Sequence, residues 1–427
     1  MVLVVSVAQA GKGDTILVSR NASGSEGANG ASYEPSLSAS GRFIAYISQG
    51  SNLNGPDDLA ASDIYVYDAA KHKVELVSRK SNGGPGGDAD SSAPSISANG
   101  RFVAFESGAG NLVDASQGGP DIYVYDRERD KVQLVSRRGK NGPGGTGTSY
   151  NPSISANGRF VAFESQAENL SAADDPNDEW FDIYVYDRKL RKLELVSRKS
   201  NDGPGGDEDS KDASISANGR HVSFQSAAEN LTGADVTVFD VFAYDRKTNR
   251  LELISRQSNN GPGADDWSQS KTGISASGRI VVFNSLAENL SGADKENSED
   301  VFAYDRKLDR VELVSREAGN GPGGDFSSQD AAVSGSGRYV TFQSGATNLS
   351  DADVTGVSDV YAYDRKLDRV KLVSREANDG PGGDATSGTP AISAPGRFVA
   401  YASTANNLPG TYFETFQNIF RYDYLGP

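Results

Sequence analysis

The sequence predicts an all-β fold: a seven-bladed β-propeller of four-stranded antiparallel blades, closed by an N-terminal strand that completes the C-terminal blade. Three observations predict it. A Gly-Arg pair recurs with its arginine at Arg42, Arg101, Arg159, Arg220, Arg279, Arg338 and Arg397, at spacings of 59, 58, 61, 59, 59 and 59. Each unit holds four short runs rich in Val, Ile, Phe and Tyr, separated by Gly, Asn, Pro and Asp, with no helical period anywhere. The seventh unit lacks its fourth run, which stands at the other end of the chain as DTILVSR, residues 14–20.

In the third copy the four runs are PSISA (152–156), RFVAFES (159–165), FDIYVYD (181–187) and KLELVSR (192–198). The second and third are apolar at nearly consecutive positions, which predicts strands covered on both faces. KLELVSR alternates, as an outer strand with one wetter face does. A linear solenoid has no use for a unit divided between the termini, whereas a ring requires one and thereby removes its open sheet edges. The LVSR or LISR runs ending at Arg20, Arg79, Arg137, Arg198, Arg256, Arg316 and Arg375 also number seven. Residues 1–427 therefore read as one propeller domain, with 14–20 as the outer strand of the last blade. Residues 2–8 align with a third strand for which no blade has a vacancy, so a fifth outer strand or a loose cover of the closing blade is expected there. The opening MVLVVSVAQA ends like a signal-peptidase site, but its apolar run is about seven residues with no basic segment before it. It reads as a strand and not as a complete signal peptide.

Composition removes several function classes. With 58 acidic against 42 basic side chains, a net charge of −16, the chain lacks the basic excess that nucleic acid binding needs. No apolar run approaches the roughly 18 residues of a membrane span. The absence of cysteine excludes disulfides, thiolate metal sites and a cysteine nucleophile.

The string P-S-I-S-A-N-G-R-F-V-A-F-E-S, followed by N-L, D-I-Y-V-Y-D and L-V-S-R, resembles the TolB-like or PD40 class of WD40-like propeller repeats across residues 14–423. The resemblance implies the propeller fold and a bacterial protein of the periplasm or the cell exterior. It implies little about function, because such propellers serve as protein-binding modules, peptidase lids and sugar-active proteins. TolB itself has an extra N-terminal domain and a different blade count, so its partners are not carried over.

Strand order places the turns between strands one and two, and three and four, on one face. That face is expected to be basic, from RERDK (127–131), RKLRK (188–192), RKTNR (246–250) and RKLDR (306–310 and 365–369). The other face receives long acidic, Gly-rich loops: 168–182, 200–212, 258–268 and 288–300. Loops on a rigid scaffold are where binding residues concentrate. Hard cations take about six to eight oxygens, and the metal candidates are Asp174, Asp178, Asp182, Asp235, Asp240, Asp294, Glu296, Asp300, Asp353 and Asp359. None of these loops spells the D-x-D-x-D-G order of a dedicated calcium loop. The reading requires no cofactor and leaves calcium as the candidate ion.

Groups present in every blade read as structural: Asp68, Asp126, Asp187, Asp245, Asp305, Asp364 and Asp423, and the Asn-Leu pairs from Asn52 to Asn407. Departures from the repeat are the binding candidates: Trp180, Trp267, Asp265, Asp266, Asp207, Asp209, Tyr150 and Phe326, with Phe181, Phe239 and Tyr412 nearby in the repeat frame. Aromatics beside carboxylates suit sugar stacking with hydroxyl hydrogen bonds, or a protein hot spot; packing of loop against loop is the plainer use. Only His72 and His221 are available as imidazoles, and no HExxH, G-x-S-x-G, phosphate loop or S-x-D-x-G-x-T-W box occurs. The expected function is non-enzymatic recognition of a protein or glycan on the acidic, aromatic-bearing face. A carbohydrate-active hydrolase or lyase using channel carboxylates and a purely structural repeat remain the alternatives.

Overall fold

Period-two runs joined by tight turns fold the repeats into seven separate four-stranded antiparallel sheets. The computed structural model describes residues 12–21, 23–24, 26–53, 61–113, 119–139, 142–171, 180–232, 239–293, 298–353, 356–409 and 416–425. Residues 2–8, Tyr412 and the metal candidates Asp174, Asp178, Asp235, Asp294 and Glu296 lie outside them. Strand β1, Thr15–Leu17, precedes blade 1, which is built from β2 Ser32–Leu37, β3 Phe43–Ser48, β4 Asp63–Asp68 and β5 Lys73–Leu76. Blade 2 is β6 Ser91–Ile96, β7 Phe102–Ser107, β8 Asp121–Asp126 and β9 Lys131–Leu134. Blade 3 is β10 Ser149–Ile154, β11 Phe160–Ser165, β12 Asp182–Asp187 and β13 Lys192–Leu195. Blade 4 is β14 Ser210–Ile215, β15 His221–Ser226, β16 Asp240–Asp245 and β17 Arg250–Leu253. Blade 5 is β18 Ser268–Ile274, β19 Ile280–Ser285, β20 Asp300–Asp305 and β21 Arg310–Leu313. Blade 6 is β22 Ser328–Val333, β23 Tyr339–Ser344, β24 Asp359–Asp364 and β25 Arg369–Leu372. Blade 7 is β26 Ser387–Ile392, β27 Phe398–Ser403 and β28 Asn418–Asp423, and β1 pairs antiparallel with β28 to complete it. No helix occurs among the described residues, so none is long and apolar enough to cross a membrane.

The third strands are buried at every position, as their continuous apolar pattern demands. Inside each blade an aromatic of the second strand stacks on one of the third. Tyr46–Tyr65, Phe105–Tyr123, Phe163–Tyr184 and Phe224–Phe242 have ring centroids 6.1, 5.8, 6.0 and 6.0 Å apart. Phe283–Phe302, Phe342–Tyr361 and Tyr401–Phe420 repeat the pair at 5.8 Å. Offset stacking of this kind adds to the area buried by each ring.

The turn after each inner strand closes the ring. Ala39 N–H donates to Ala98 O, Ala98 to Ala156, Ala156 to Ala217, Ala217 to Ala276, Ala276 to Gly335, Gly335 to Ala394, and Ala394 back to Ala39, all between 2.9 and 3.2 Å. Seven backbone bonds thus form a closed circuit around the axis. The turn glycine must be glycine: Gly100 has φ +72°, and a Cβ there would stand 2.1 Å from Phe43 of the preceding blade.

Each recurrent Gly-Arg arginine clamps the recurrent strand-end aspartate of its own blade. Arg42 and Asp68 are joined by two bonds of 2.7 Å, and Arg220 and Asp245 by bonds of 2.8 and 2.5 Å. Burial opposes ionisation of Asp245, but the Arg220 fork and the turn amides outweigh it and hold the carboxyl below the usual range. The Asn-Leu asparagines are structural as well: Asn52, Asn169 and Asn289 each donate to a loop glycine carbonyl at 3.0 Å.

Inner strands carry β-bulges that no glycine announces. Glu34, Ala93, Asn151, Asp212, Asp330 and Thr389 sit at φ +47° to +56°, in left-handed backbone facing the axis. In blade 5 the inner strand is one residue longer, seven against six, and its register jumps from Gln269 to Gly273. The insertion is written in the sequence: Arg256 to Arg279 is 23 residues, where Arg198 to Arg220 is 22.

Candidate binding site at the mouth of the channel

The seven inner strands line a central channel of about 280 Å³, with Glu34, Asn151, Asp212, Thr272, Asp330 and Thr389 among its walls. One layer outward, the residue before the last serine of each second strand is Ile47, Glu106, Glu164, Gln225, Asn284, Gln343 or Ala402. It is polar in five consecutive blades and apolar in the two that flank the closure. Three of these side chains bridge blades by holding the bulges. Glu106 accepts Asn151 N–H at 2.9 Å, Glu164 accepts Asp212 N–H at 2.7 Å, and Gln343 accepts Thr389 N–H at 3.4 Å. Asn151 Nδ2 donates to both Glu164 (3.1 Å) and Asp212 (3.2 Å), and Gln225 donates to Asp212 at 2.6 Å. Burial, reinforced by the Asp212 charge, pushes the Glu164 carboxyl up to about 7.

Around this polar wall stand the aromatics that the repeat does not explain. Tyr150 meets Phe181 with centroids 5.8 Å apart, and Lys211 lies 5.0 Å over the Phe181 ring. Phe239 meets Trp267 at 6.2 Å. Both pairs occupy the ends of strands on the face of the long loops, Trp267 directly before β18 and Phe181 directly before β12. Trp180, Trp267 and Phe326 keep 45%, 44% and 65% of their surface exposed. Phe416, 42% exposed, occupies the position in blade 7 that Trp180 holds in blade 3, and the sequence reading passed over it. Its signal was the alignment: each stands two residues before a third strand.

The acidic candidates divide. Asp209 accepts Phe181 N–H at 2.9 Å and pairs with Lys211 at 2.6 Å, so it belongs to the aromatic cluster. Asp266 accepts Trp267 N–H at 2.7 Å and fixes that turn. Asp207 and Asp265 accept the N–H of Asn230 (3.3 Å) and Asn289 (3.4 Å). Asp384 does the same for Asn406 at 2.7 Å, so this position ties loop to loop in several blades.

Of the metal candidates, Asp182, Asp240, Asp300 and Asp359 open the third strands, buried, each accepting a serine hydroxyl from the strand-four region: Ser197, Ser255, Ser315 and Ser374. Burial lifts Asp240 to about 6 and Asp359 to about 7, with the serine bond opposing the shift. Asp353 accepts the Tyr361 hydroxyl at 2.6 Å. No group of three or more metal-ligating side chains is assembled among the described residues.

Comparison with known proteins places this geometry in a family. The chain belongs to the family of unknown function DUF7453, which it matches over residues 37–423. No curated protein sequence matches it. Among solved structures it is similar in fold to the β-propeller domain of the Trilobed protease from Pyrococcus furiosus, a propeller of open velcro topology. Identity there is 11%, the TM-score 0.55, and the match covers 93% of this chain and 97% of that one. In this DUF7453 member, by contrast, β1 and β28 join the two ends. An oligogalacturonate lyase in complex with manganese matches at 9% identity and TM-score 0.54, over 97% of this chain and 98% of the other. TolB from Acinetobacter baumannii matches at 15% identity and TM-score 0.39, over 70% of this chain and 63% of that protein.

Proposed function

We propose that this DUF7453 propeller is a non-enzymatic binding module that takes a glycan at the loop-face mouth of its channel. The Phe239–Trp267 pair carries the reading: a half-exposed indole held directly before inner strand β18, whose Thr272 lines the channel with amides and carboxylates of the other blades. A flat π surface next to polar groups suits the alternating C–H and hydroxyl faces of a sugar ring. Loss of a central aromatic in such a site costs about 1–3 kcal/mol of binding, so Trp267→Ala is expected to weaken the glycan selected on an array roughly tenfold or more while melting as the wild type does. Retention of full affinity in both Trp267→Ala and Phe326→Ala would sink the reading. The acidic loops and the setting outside the cytoplasm belong to the same proposal, since a carbohydrate ligand is met there. A protein partner is the occupant that array silence combined with a direct pull-down would favour. One observation favours a second reading, a carbohydrate-active enzyme: a buried carboxyl at about 7, Glu164, stands beside Asp212 in the range useful to a general acid. Polysaccharide turnover that vanishes in Glu164→Gln would replace binding by catalysis.

A further inference from the structure

The face opposite the long loops carries a second site, revealed by comparing the junctions between blades. At five of them the arginine after the third strand of the later blade donates to a turn glycine carbonyl and reaches to the outer strand of the earlier blade. Four of the five meet a glutamate there: Arg127–Glu75 at 2.7 Å, Arg246–Glu194 at 2.6 Å, Arg306–Glu252 at 2.9 Å and Arg365–Glu312 at 3.0 Å. Between blades 2 and 3 the glutamate is Gln133, and among the described residues Arg188 bonds only neutral oxygens, Gln133 Oε1 at 3.2 Å and Gly158 O at 2.6 Å.

A second arginine, just past the outer strand, also lacks its acidic partner across this junction, as Arg198 does opposite Asn249 between blades 3 and 4, but only here is the aspartate replaced by an arginine. Arg79, Arg256 and Arg316 pair with Asp130, Asp309 and Asp368 of the next blade at 3.1, 3.2 and 3.2 Å. Their counterpart between blades 2 and 3 is Arg137, and the aspartate position is Arg191. Arg137 Nη2 donates to Gly142 O at 2.6 Å, and its buried Nε has no partner among the described residues. Glu to Gln and Asp to Arg together swing the junction by three positive charges, one from the first exchange and two from the second.

This junction also opens a cavity of about 830 Å³, lined by Phe102, Arg129, Gln133, Arg137, Tyr186 and Arg188, with Lys189 and Arg191 on its rim. Among the described residues its one wall carboxylate is Asp126, held by the Arg101 fork at 2.8 Å, and neighbouring Asp187 is held by Arg159 at 2.6 Å. The equivalent cavity between blades 4 and 5, about 580 Å³, has Asp245 and Glu252 beside Arg250, Arg256 and Arg306. Burial depresses the Arg188 guanidinium to about 10, with the Asp126 charge opposing the shift and the Arg101 charge adding to it. The Arg188 plane is set 4.4 Å over the Phe102 ring, so its direction is fixed before any ligand arrives.

We propose that the groove between blades 2 and 3 binds a small acidic molecule through its oxyanion, a carboxylate, sulfate or phosphate, placed between Arg188 and Arg137. Guanidinium forks match the geometry of such groups, and the exposed rim cations draw them in. A cavity of this size accommodates a molecule larger than the bare ion.

Titration calorimetry at low salt tests it with sodium sulfate, inorganic phosphate and glucuronate as probes and glucose as the neutral control. One site per chain is expected, weakened at least tenfold by moderate salt and lost in Gln133→Glu/Arg191→Asp, a variant that gives this junction the charge pattern of those between blades 1 and 2, 4 and 5, and 5 and 6 and should melt no lower than wild type. The ranking of the three anions identifies the oxyanion class. The reverse transplant, Glu75→Gln/Asp130→Arg between blades 1 and 2, should raise the stoichiometry to two. Equal binding by wild type and Gln133→Glu/Arg191→Asp, no binding of any anion by wild type, or glucose binding as well as glucuronate overturns the proposal.

Discussion

Glu164 lies in a stretch, GRFVAFES, whose near-identical recurrence reads as packing alone, and most of the stretch is packing. Its glutamate is not, because it crosses to the neighbouring blade and holds the Asp212 N–H. That bond spans 48 residues, so nothing local in the sequence shows it. What the sequence did show was the irregularity at this one position, Ile, Glu, Glu, Gln, Asn, Gln, Ala around the ring. The consequence is a pH dependence. A carboxyl raised from 4.5 to about 7 contributes stability that is complete below 4.5 and disappears as pH rises through 7. The Arg-clamped aspartates, such as Asp245, act oppositely: their stabilisation is present above the unfolded value and is lost as pH falls through the depressed one. Glu164→Gln removes the Glu164 share of the first trend and keeps the second. Its melting temperature should decline less from pH 5 to 8 than that of the wild type, a difference on the order of 2 kcal/mol at the alkaline end, while the decline it retains belongs to Asp240 and Asp359, raised to about 6 and about 7. Parallel decline of the two proteins would assign the trend to another group.

At the scale of the element, strands and connections differ in how plainly they were written. The alternation of KLELVSR and the unbroken burial of DIYVYD placed third and fourth strands where the structure has them. The inner-strand bulges were hidden, since Glu34, Ala93 and Thr389 adopt left-handed backbone without the glycine that usually marks it. Carboxylates at the end of the loops joining second to third strands were legible as oxygen donors, but their partners were not. Asp182, Asp240, Asp300 and Asp359 are each engaged by a serine that a strand pairing brings alongside. A calcium ion would therefore have to draw on the loops themselves, with Asp174, Asp178, Asp235, Asp294 and Glu296 as its donors. Under that proposal, melting in excess calcium should be several degrees higher than in chelator, and the gain should shrink in Asp294→Asn/Glu296→Gln. Coincident melting curves for the wild type in the two buffers remove calcium from the account.

For the whole molecule the decisive feature is the junction where the ring closes, between blades 7 and 1. The divided repeat foretold a joint there, but the joint has its own chemistry. Blade 1 has Ala69 where blades 2 to 6 have the bridging arginine, and Ile16 of β1 occupies the glutamate position. The arginine comes from the other side: Arg421, in β28 and paired with Ile16, donates to Gly41 O at 2.9 Å and lies 4.4 Å over the Phe398 ring. Arg127 makes the same two contacts in blade 2, to Gly100 O and the Phe43 ring. Two departures that look unrelated in the sequence, an alanine near residue 70 and an arginine inside an apolar strand, are one exchange across the closure. A buried charged hydrogen bond and a cation–π contact together are worth about 2–4 kcal/mol, so Arg421→Ala should lower the unfolding free energy read from urea melts by roughly that amount. In a ring every blade has two neighbours, so the loss at one junction is felt by the whole unfolding transition and the curve should stay single. Ala69→Arg/Arg421→Val returns the arginine to its repeat position with the same carbonyl and ring to meet. It should recover most of the loss, since only the glutamate partner is missing at Ile16. A double variant no more stable than Arg421→Ala would mean that the arginine serves blade 7 itself and not the closure.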